Sequence, residues 1–335
     1  MDWLSKLTNK EELQKVLKEQ EKQVKRINTQ EMIEALNNRV IGQDVVITQM
    51  TNGIARRMRQ RRRGKPVYTV LLSGPTGTGK TELAKAVAEY MFGSEKAMFR
   101  IDCGQFEGHA ISSLIGSPKG YQGSTEWGSL TKHLKTQPET LILFDEIEKA
   151  GNTQDTPLFK LLLSLLDEGR ITEKSTDTLV DATQAIIMLT SNAQHEKLGE
   201  IFERFKNDPD ELTRATKDQL QGNPFSPELL GRLDLVTTVS PLSPKDRAAV
   251  CAMHCWRIGQ QYHIEINHIE PGFLAECVAR WSSLGGYGVR EVIRWMEKQI
   301  ADGLMDAQDN GAESVSIEWD DDKGSDGEAV VKIAS

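Results

Sequence analysis

Four short apolar runs punctuate the chain, at residues 67–72, 98–102, 141–145 and 185–190. Each is nearly unbroken, the pattern of a strand buried on both faces. Residues 82–92, directly after the first run, carry apolar side chains at helical spacing. Strand and helix signals alternate to about residue 240, which predicts an α/β fold with a parallel sheet covered by helices. Ser240-Pro241-Leu242-Ser243-Pro244 marks a boundary. Beyond it the pattern predicts helices over 247–262, 272–282 and 289–304, and a hairpin from 314–319 and 329–333 around an acidic turn. Residues 9–36 read as a charged helix. Leu13, Leu17, Val24 and Ile27 lie near coiled-coil spacing and Gln20 interrupts them, so the helix either recruits a partner or lies on the core. Three segments result: an N-terminal helical extension over 1–37, a large α/β unit over 38–240 and a smaller C-terminal α(+β) unit over 241–335.

Chemistry enters at the end of the first run. Gly74-Pro75-Thr76-Gly77-Thr78-Gly79-Lys80-Thr81 sits between a strand and a helix. Glycines let backbone N–H groups crowd round an anion, and the helix dipole favours negative charge there. In that setting Lys80 reaches the β/γ-phosphates of ATP and the Thr81 hydroxyl ligates Mg²⁺. The run at 141–145 ends in Asp145-Glu146, at the strand end where open α/β sheets place ligands. Asp145 is placed to hold Mg²⁺ through water and Glu146 to act as general base. Taken alone, the two acids read equally well as a cap on the following segment. Asn192, just past the run at 185–190, either sits between the γ-phosphate and the attacking water or caps the next helix.

The length suits about two domains. No signal peptide or membrane-spanning apolar stretch is legible, and cysteines are few; a reducing, cytoplasmic setting is the expectation. Cys251, His254 and Cys255 read as a packed helix face rather than a zinc site. The net charge of −8 is divided unevenly, with about +7 on residues 1–65 and about −15 on the rest. The basic run from Arg56 to Arg63 reads as a solvated helix end or a face for an acidic neighbour. Nucleic acid is the alternative, but no aromatic residues interleave with the arginines.

The order of these motifs resembles the ATPase module of the Clp family of ring-shaped AAA+ protein unfoldases, most closely the second module of ClpB-type disaggregases. The matching residues are Val40-Ile41-Gly42-Gln43, 74–84, Leu114-Ile115-Gly116 with Gly120-Tyr121, 143–150, 165–170, Thr190-Ser191-Asn192, 227–234 and Tyr287-Gly288-Val289-Arg290. The resemblance implies an ATPase coupled to protein remodelling, with ATP and Mg²⁺ as ligands and a hexameric ring as the working form. It implies that Ile41 packs near the adenine and that Asn192 is sensor 1. Arg232 becomes an arginine finger acting on the neighbouring subunit, and Arg290 the sensor 2 of the same chain. Tyr121, between glycines, becomes a pore-loop residue that grips a threaded polypeptide, with a second pore loop near 173–177. The N-terminal helix is a place for an adaptor.

Departures are visible. The first ATPase module, N-terminal domain and coiled-coil insert of typical disaggregases are not in this sequence. Residues 194–201 lack the tripeptide that docks a peptidase chamber in protease-coupled relatives, so no peptidase partner is expected. Residues 124–128, with Trp127, differ from the family's pore-loop flank. A nucleic-acid motor or loader, and an ATP-dependent assembly switch for a dedicated partner, are the alternative functions.

Overall fold

A computed structural model describes residues 27–60, 64–105, 111–118, 120, 126–150, 156–222, 225–284, 288–320 and 327–333. Most of the N-terminal extension, Arg61 to Arg63, Tyr121 and Tyr287 lie outside the described residues.

Helix α1 (Thr29–Arg39) starts at Asn28, whose side chain accepts from the N–H groups of Gln30 and Glu31. Its apolar residues Met32 and Leu36 are buried. Helix α2 (Asp44–Gln60) follows and leads to β1 (Tyr68–Ser73). Helix α3 (Lys80–Phe92) stops at Gly93, which takes the left-handed conformation. Next come β2 (Met98–Asp102), α4 (Ile111–Ile115), α5 (Ser129–Thr136), β3 (Leu141–Asp145) and α6 (Pro157–Glu168). A hairpin of β4 (Arg170–Glu173) and β5 (Thr178–Asp181) precedes β6 (Ile186–Ser191). Helices α7 (His195–Phe205), α8 (Pro209–Leu220) and α9 (Pro227–Arg232) then lead to β7 (Leu235–Thr238).

The main sheet is parallel throughout, in the order β2-β3-β6-β1-β7. Successive strand residues face opposite sides. Leu71, Ile142, Phe144, Ile187 and Leu189 enter one core with α6 and α9. Val70, Leu72, Leu141, Leu143, Ile186 and Met188 enter the other with α1, α2 and α3. Burial on both faces explains why β1, β3 and β6 read as continuous apolar runs; β2, expected to be buried likewise, is an outer strand on which only Ile101 is buried and Arg100 is exposed. In the register Ser73 pairs with Ser191 and Asp102 with Asp145, so one edge of the sheet gathers the chain's polar strand ends.

The C-terminal region begins with α10 (Pro244–Gln261), whose Ser243 and Asp246 form a reciprocal capping box. Strand β8 (Glu265–Ile269), α11 (Pro271–Ser283) and α12 (Gly288–Asp309) follow, then β9 (Ser314–Asp320) and β10 (Glu328–Ile333). The expected hairpin of β9 and β10 forms, and β8 adds a third, parallel strand. A separate core packs Phe273, Met296, Ile300, Leu304, Val315 and Ile317. Strands β7 and β8 and the β4–β5 hairpin were not legible in the hydropathy pattern. They are short, and β4, β5 and β8 are partly exposed.

Candidate nucleotide site

The polar strand ends open into a cleft of about 770 Å³ between the main sheet and the C-terminal region. Residues 76–82 and Ile41 line it from the large unit, and Val289 and Arg290 line it from the C-terminal region. The glycines of the loop after β1 are obligatory at two points. Gly79 has φ +90° as the residue that precedes α3. At Gly74, φ +143°, a methyl group would stand 2.6 Å from Val239 Cγ2. The loop thus runs tight against its surroundings and turns its backbone toward the cleft.

Lys80, the first residue of α3, is buried and donates to the carbonyls of Gly74 and Pro75 and to Asn192 Oδ1, each at 2.8 Å. Burial lowers its pKa to about 8, although Glu148, Asp145 and Glu146 pull the other way. Asn192 Nδ2 in turn donates to Glu146 Oε1 at 3.0 Å. Asn192 therefore links the loop lysine to the glutamate at the end of β3. The sheet order places it there, because β6 lies between β1 and β3.

Asp145 is buried and fixed from three sides. Thr190 Oγ1 donates to Oδ1, Arg100 donates to Oδ2 through Nε (2.9 Å) and Nη2 (2.6 Å), and Thr81 Oγ1 approaches to 3.5 Å. Glu146 adopts φ +56°, a conformation a side-chain-bearing residue rarely takes. Its N–H is held by Thr190 Oγ1 at 3.0 Å, and its carboxylate reaches Lys149 Nζ at 2.6 Å. The backbone twist turns the Glu146 side chain toward Asn192. Glu148 Oε1 accepts the Asn192 N–H at 3.0 Å. The segment after it is a short 3₁₀ turn, Ile147–Ala150, so the two acids do not cap a long helix.

Several contributors carry no local motif. Gln43 is buried and ties Thr78 O (3.2 Å) to both the carbonyl and the N–H of Ser240. Glu82, beside Thr81, receives Arg39 through Nε (3.0 Å) and Nη2 (2.9 Å), and Arg257 of α10 lies at 3.6 Å. Burial would raise the Glu82 pKa, but the arginines hold it below the ordinary range. His254 lines the cleft, while Cys251 and Cys255 enter the C-terminal core, so the three do not converge. Burial and then Arg257 depress the His254 pKa. Arg100 and Arg257 have no sequence motif that names their partners, and only the fold brings them to Asp145 and Glu82.

Arg290 stands on the cleft wall and is exposed. Arg232 is not among the described lining residues. It pairs instead with Asp167 (2.9 Å) and Glu228 (2.7 Å). Trp127 packs against the sheet core with Lys135 Nζ 3.9 Å from its ring centre. In the turn near 173–177, Glu173 and Ser175 point inward, and Lys174, Thr176 and Asp177 are exposed. Arg57, in the basic run, pairs with Asp234. No described helix is long and apolar enough to cross a membrane.

A family model described as AAA domain (Cdc48 subfamily) matches residues 65–236. Over 275 residues the chain is 34% identical to the mitochondrial chaperone protein ClpB3 of Oryza sativa subsp. japonica, covering 80% of this chain and 27% of that protein. It is 32% identical over 314 residues to the mitochondrial chaperone protein ClpB4 of Arabidopsis thaliana, covering 89% and 31%. The ATP-dependent Clp protease ATP-binding subunit ClpC of Staphylococcus aureus (strain USA300) is 35% identical over 285 residues, covering 82% and 34%. The chain thus spans about a third of the length of the relatives it matches. A glycine loop, a paired Asp145-Glu146 and a linking Asn192 on one sheet edge accord with these matches: the chain belongs to the AAA+ ATPases and carries a nucleotide-binding module of the Clp family.

Proposed function

We propose that this module hydrolyses ATP to pull on polypeptide, working as a hexameric ring in which neighbours share each nucleotide pocket. The observation that carries the reading is the two-sided cleft. A nucleotide held there touches the loop after β1 on one side and Val289 and Arg290 on the other. A change of nucleotide state is thereby coupled to the relative position of the two regions.

Thr81 and Asp145 offer hard oxygen donors side by side, which suits Mg²⁺. The ion would neutralise charge on the β- and γ-phosphates. Lys80 exchanges its contacts with the two carbonyls for phosphate oxygens. Asn192 keeps Glu146 aimed at the water, and Glu146 takes the proton as the water attacks the γ-phosphorus and the bond to the bridging oxygen breaks, with ADP as the leaving group. Ile41 contacts the base from the α1–α2 junction, and Arg290 meets the phosphates from α12. Arg232, paired with Asp167 and Glu228 outside its own cleft, would exchange those partners for the phosphates in the neighbour's pocket. Tyr121 grips the polypeptide. The names of the relatives, chaperones among them, support protein as the substrate. No peptidase partner is part of this reading, because residues 194–201 lack the docking tripeptide of protease-coupled relatives.

The test pairs two variants of the full chain. Glu146→Gln is expected to bind ATP without turnover. Tyr121→Ala is expected to hydrolyse ATP yet fail to unfold a tagged protein. Normal unfolding by the Tyr121 variant would sink the threading step.

A further inference from the structure

Glu173 ends β4 and is fully buried, yet no lysine or arginine pairs with it among the described residues. Its charge is met by neutral donors, divided between its two oxygens. Oε1 accepts from the Ser175 N–H (3.0 Å) and the Ser175 hydroxyl (2.7 Å), both in the hairpin turn. Oε2 accepts from the Gly128 N–H (3.0 Å) and the Thr131 hydroxyl, both at the start of α5. Burial would raise the pKa of this carboxyl, but hydrogen bonds from Thr131, Ser175 and Gly128 outweigh it and hold it below the ordinary range.

The surroundings are built round the carboxylate. Gly116, φ +79°, ends α4's stem, and a methyl group there would lie 1.8 Å from Glu173 Oε1. At Gly128 a methyl group would lie 2.3 Å from Leu114 O. Lys174 N donates to Ile115 O at 2.7 Å. Gly116 and Gly128, the two stems of the intervening segment, therefore meet at one side chain of the hairpin. A core position needs no charge to be filled, and burying one is unfavourable unless its partners are fixed. Four donors drawn from two loops fit a clamp better than a filler. Helix α5 leads into β3 and β5 leads toward β6, the strands that carry Asp145 and Asn192.

We propose that Glu173 is a positioning residue that locks the Gly116 and Gly128 stems to the β4–β5 hairpin, so that both loops shift as one body with the nucleotide state. The clamp itself follows from the contacts; its use in moving polypeptide rests on the threading reading above. Removing one hydrogen bond to a charged group shifts a local opening equilibrium by about ten- to a hundredfold.

The experiment is amide hydrogen exchange on the full chain, with ADP and with a non-hydrolysable ATP analogue, beside unfolding of a tagged protein per ATP hydrolysed. For Glu173→Gln, exchange is expected to rise by about that factor in both 111–136 and 170–181, with α3 unchanged. In the unmodified chain the two segments respond to nucleotide together; in the variant their responses part, and unfolding per ATP falls. Thr131→Val is expected to loosen both segments more mildly, and Thr131→Ser to restore them, which keeps the test open if Glu173→Gln does not fold. Loosening of the hairpin alone, or independent nucleotide responses in the unmodified chain, overturns the clamp. If both segments loosen and separate while unfolding per ATP is unchanged, the shared motion has no use and the proposal fails. If the unmodified chain unfolds nothing but the exchange pattern holds, the threading reading fails and the clamp stands.

Discussion

The two walls of the cleft are held in opposite ways. On the sheet side, Lys80, Asn192, Glu146, Asp145, Thr190 and Arg100 form one connected set of hydrogen bonds at the polar edge of the sheet. On the C-terminal side, Val289 and Arg290 present apolar surface and an exposed cation, backed by a separate core. Among the described residues, a polar tie across the walls runs through Glu82, which receives Arg39 from its own side and Arg257 from α10; Gln43 ties Thr78 to Ser240 at the boundary itself. The contrast separates two needs: chemistry requires groups that do not rearrange, whereas coupling requires one wall that can move relative to the other.

The sharpest way to break the contrast is to remove the rigid side. Lys80→Ala is expected to lower kcat/KM for ATP by about 10³, measured by steady-state hydrolysis, because the transferring charge loses its main fixed counter-charge. Arg232→Ala is expected to cost about 10³ in hydrolysis. Mixing Arg232→Ala chains with Lys80→Ala chains should restore part of the rate, since some pockets then combine an intact lysine with an intact neighbouring arginine. Absence of any restoration would place the arginine outside the shared pocket.

The movable side is tested through its own core. Phe273 is fully buried among Trp295 and Trp319, and Phe273→Ala is expected to destabilise the C-terminal region by about 3–5 kcal/mol. Calorimetry should show that region melting earlier while the sheet transition stays in place; a single shifted transition would mean that the two cores are one unit.

Smaller effects probe the junction. Glu82→Gln removes the negative charge shared by Arg39 and Arg257. Because that carboxylate is partly exposed, a loss of about fivefold in nucleotide affinity is expected. Equilibrium titration with a fluorescent ATP analogue measures it.

The pH dependence is subtler. Lys80 titrates near pH 8 in the folded chain, below an ordinary lysine. ATP affinity should therefore fall by up to about tenfold per pH unit above 8. The unfolded chain binds this proton more tightly, so Lys80's contribution to folding stability moves the opposite way. It is least favourable below pH 8 and improves as pH rises toward the ordinary lysine value. Lys80→Met should erase both slopes.

Much of this site was legible because its elements are contiguous. The loop at 74–81 and the acids at 145–146 each state their chemistry within one strand–turn unit, and buried parallel strands announce themselves as apolar runs. Helix α3 begins at Lys80, two residues before the periodicity shows it, because its first turn is occupied by loop residues. The charges without motifs were not legible. Arg100 sits on a strand whose outer residues are partly exposed, and nothing nearby in sequence points to Asp145. Glu173 looks like a solvent-facing acid in a polar turn, yet it is buried because Gly116 and Gly128 arrive from more than forty residues away.

Sequence by itself determined the glycine loop between strand and helix, the acidic strand end and the parallel sheet, since each depends on neighbours within a few residues. Tertiary structure alone decided that β6 enters between β1 and β3 and so sets Asn192 against both Lys80 and Glu146. It also decided which of many surface-like charges became buried partners. The reason is physical: strand order and long-range packing minimise the energy of the whole chain, and no short window of residues records that sum.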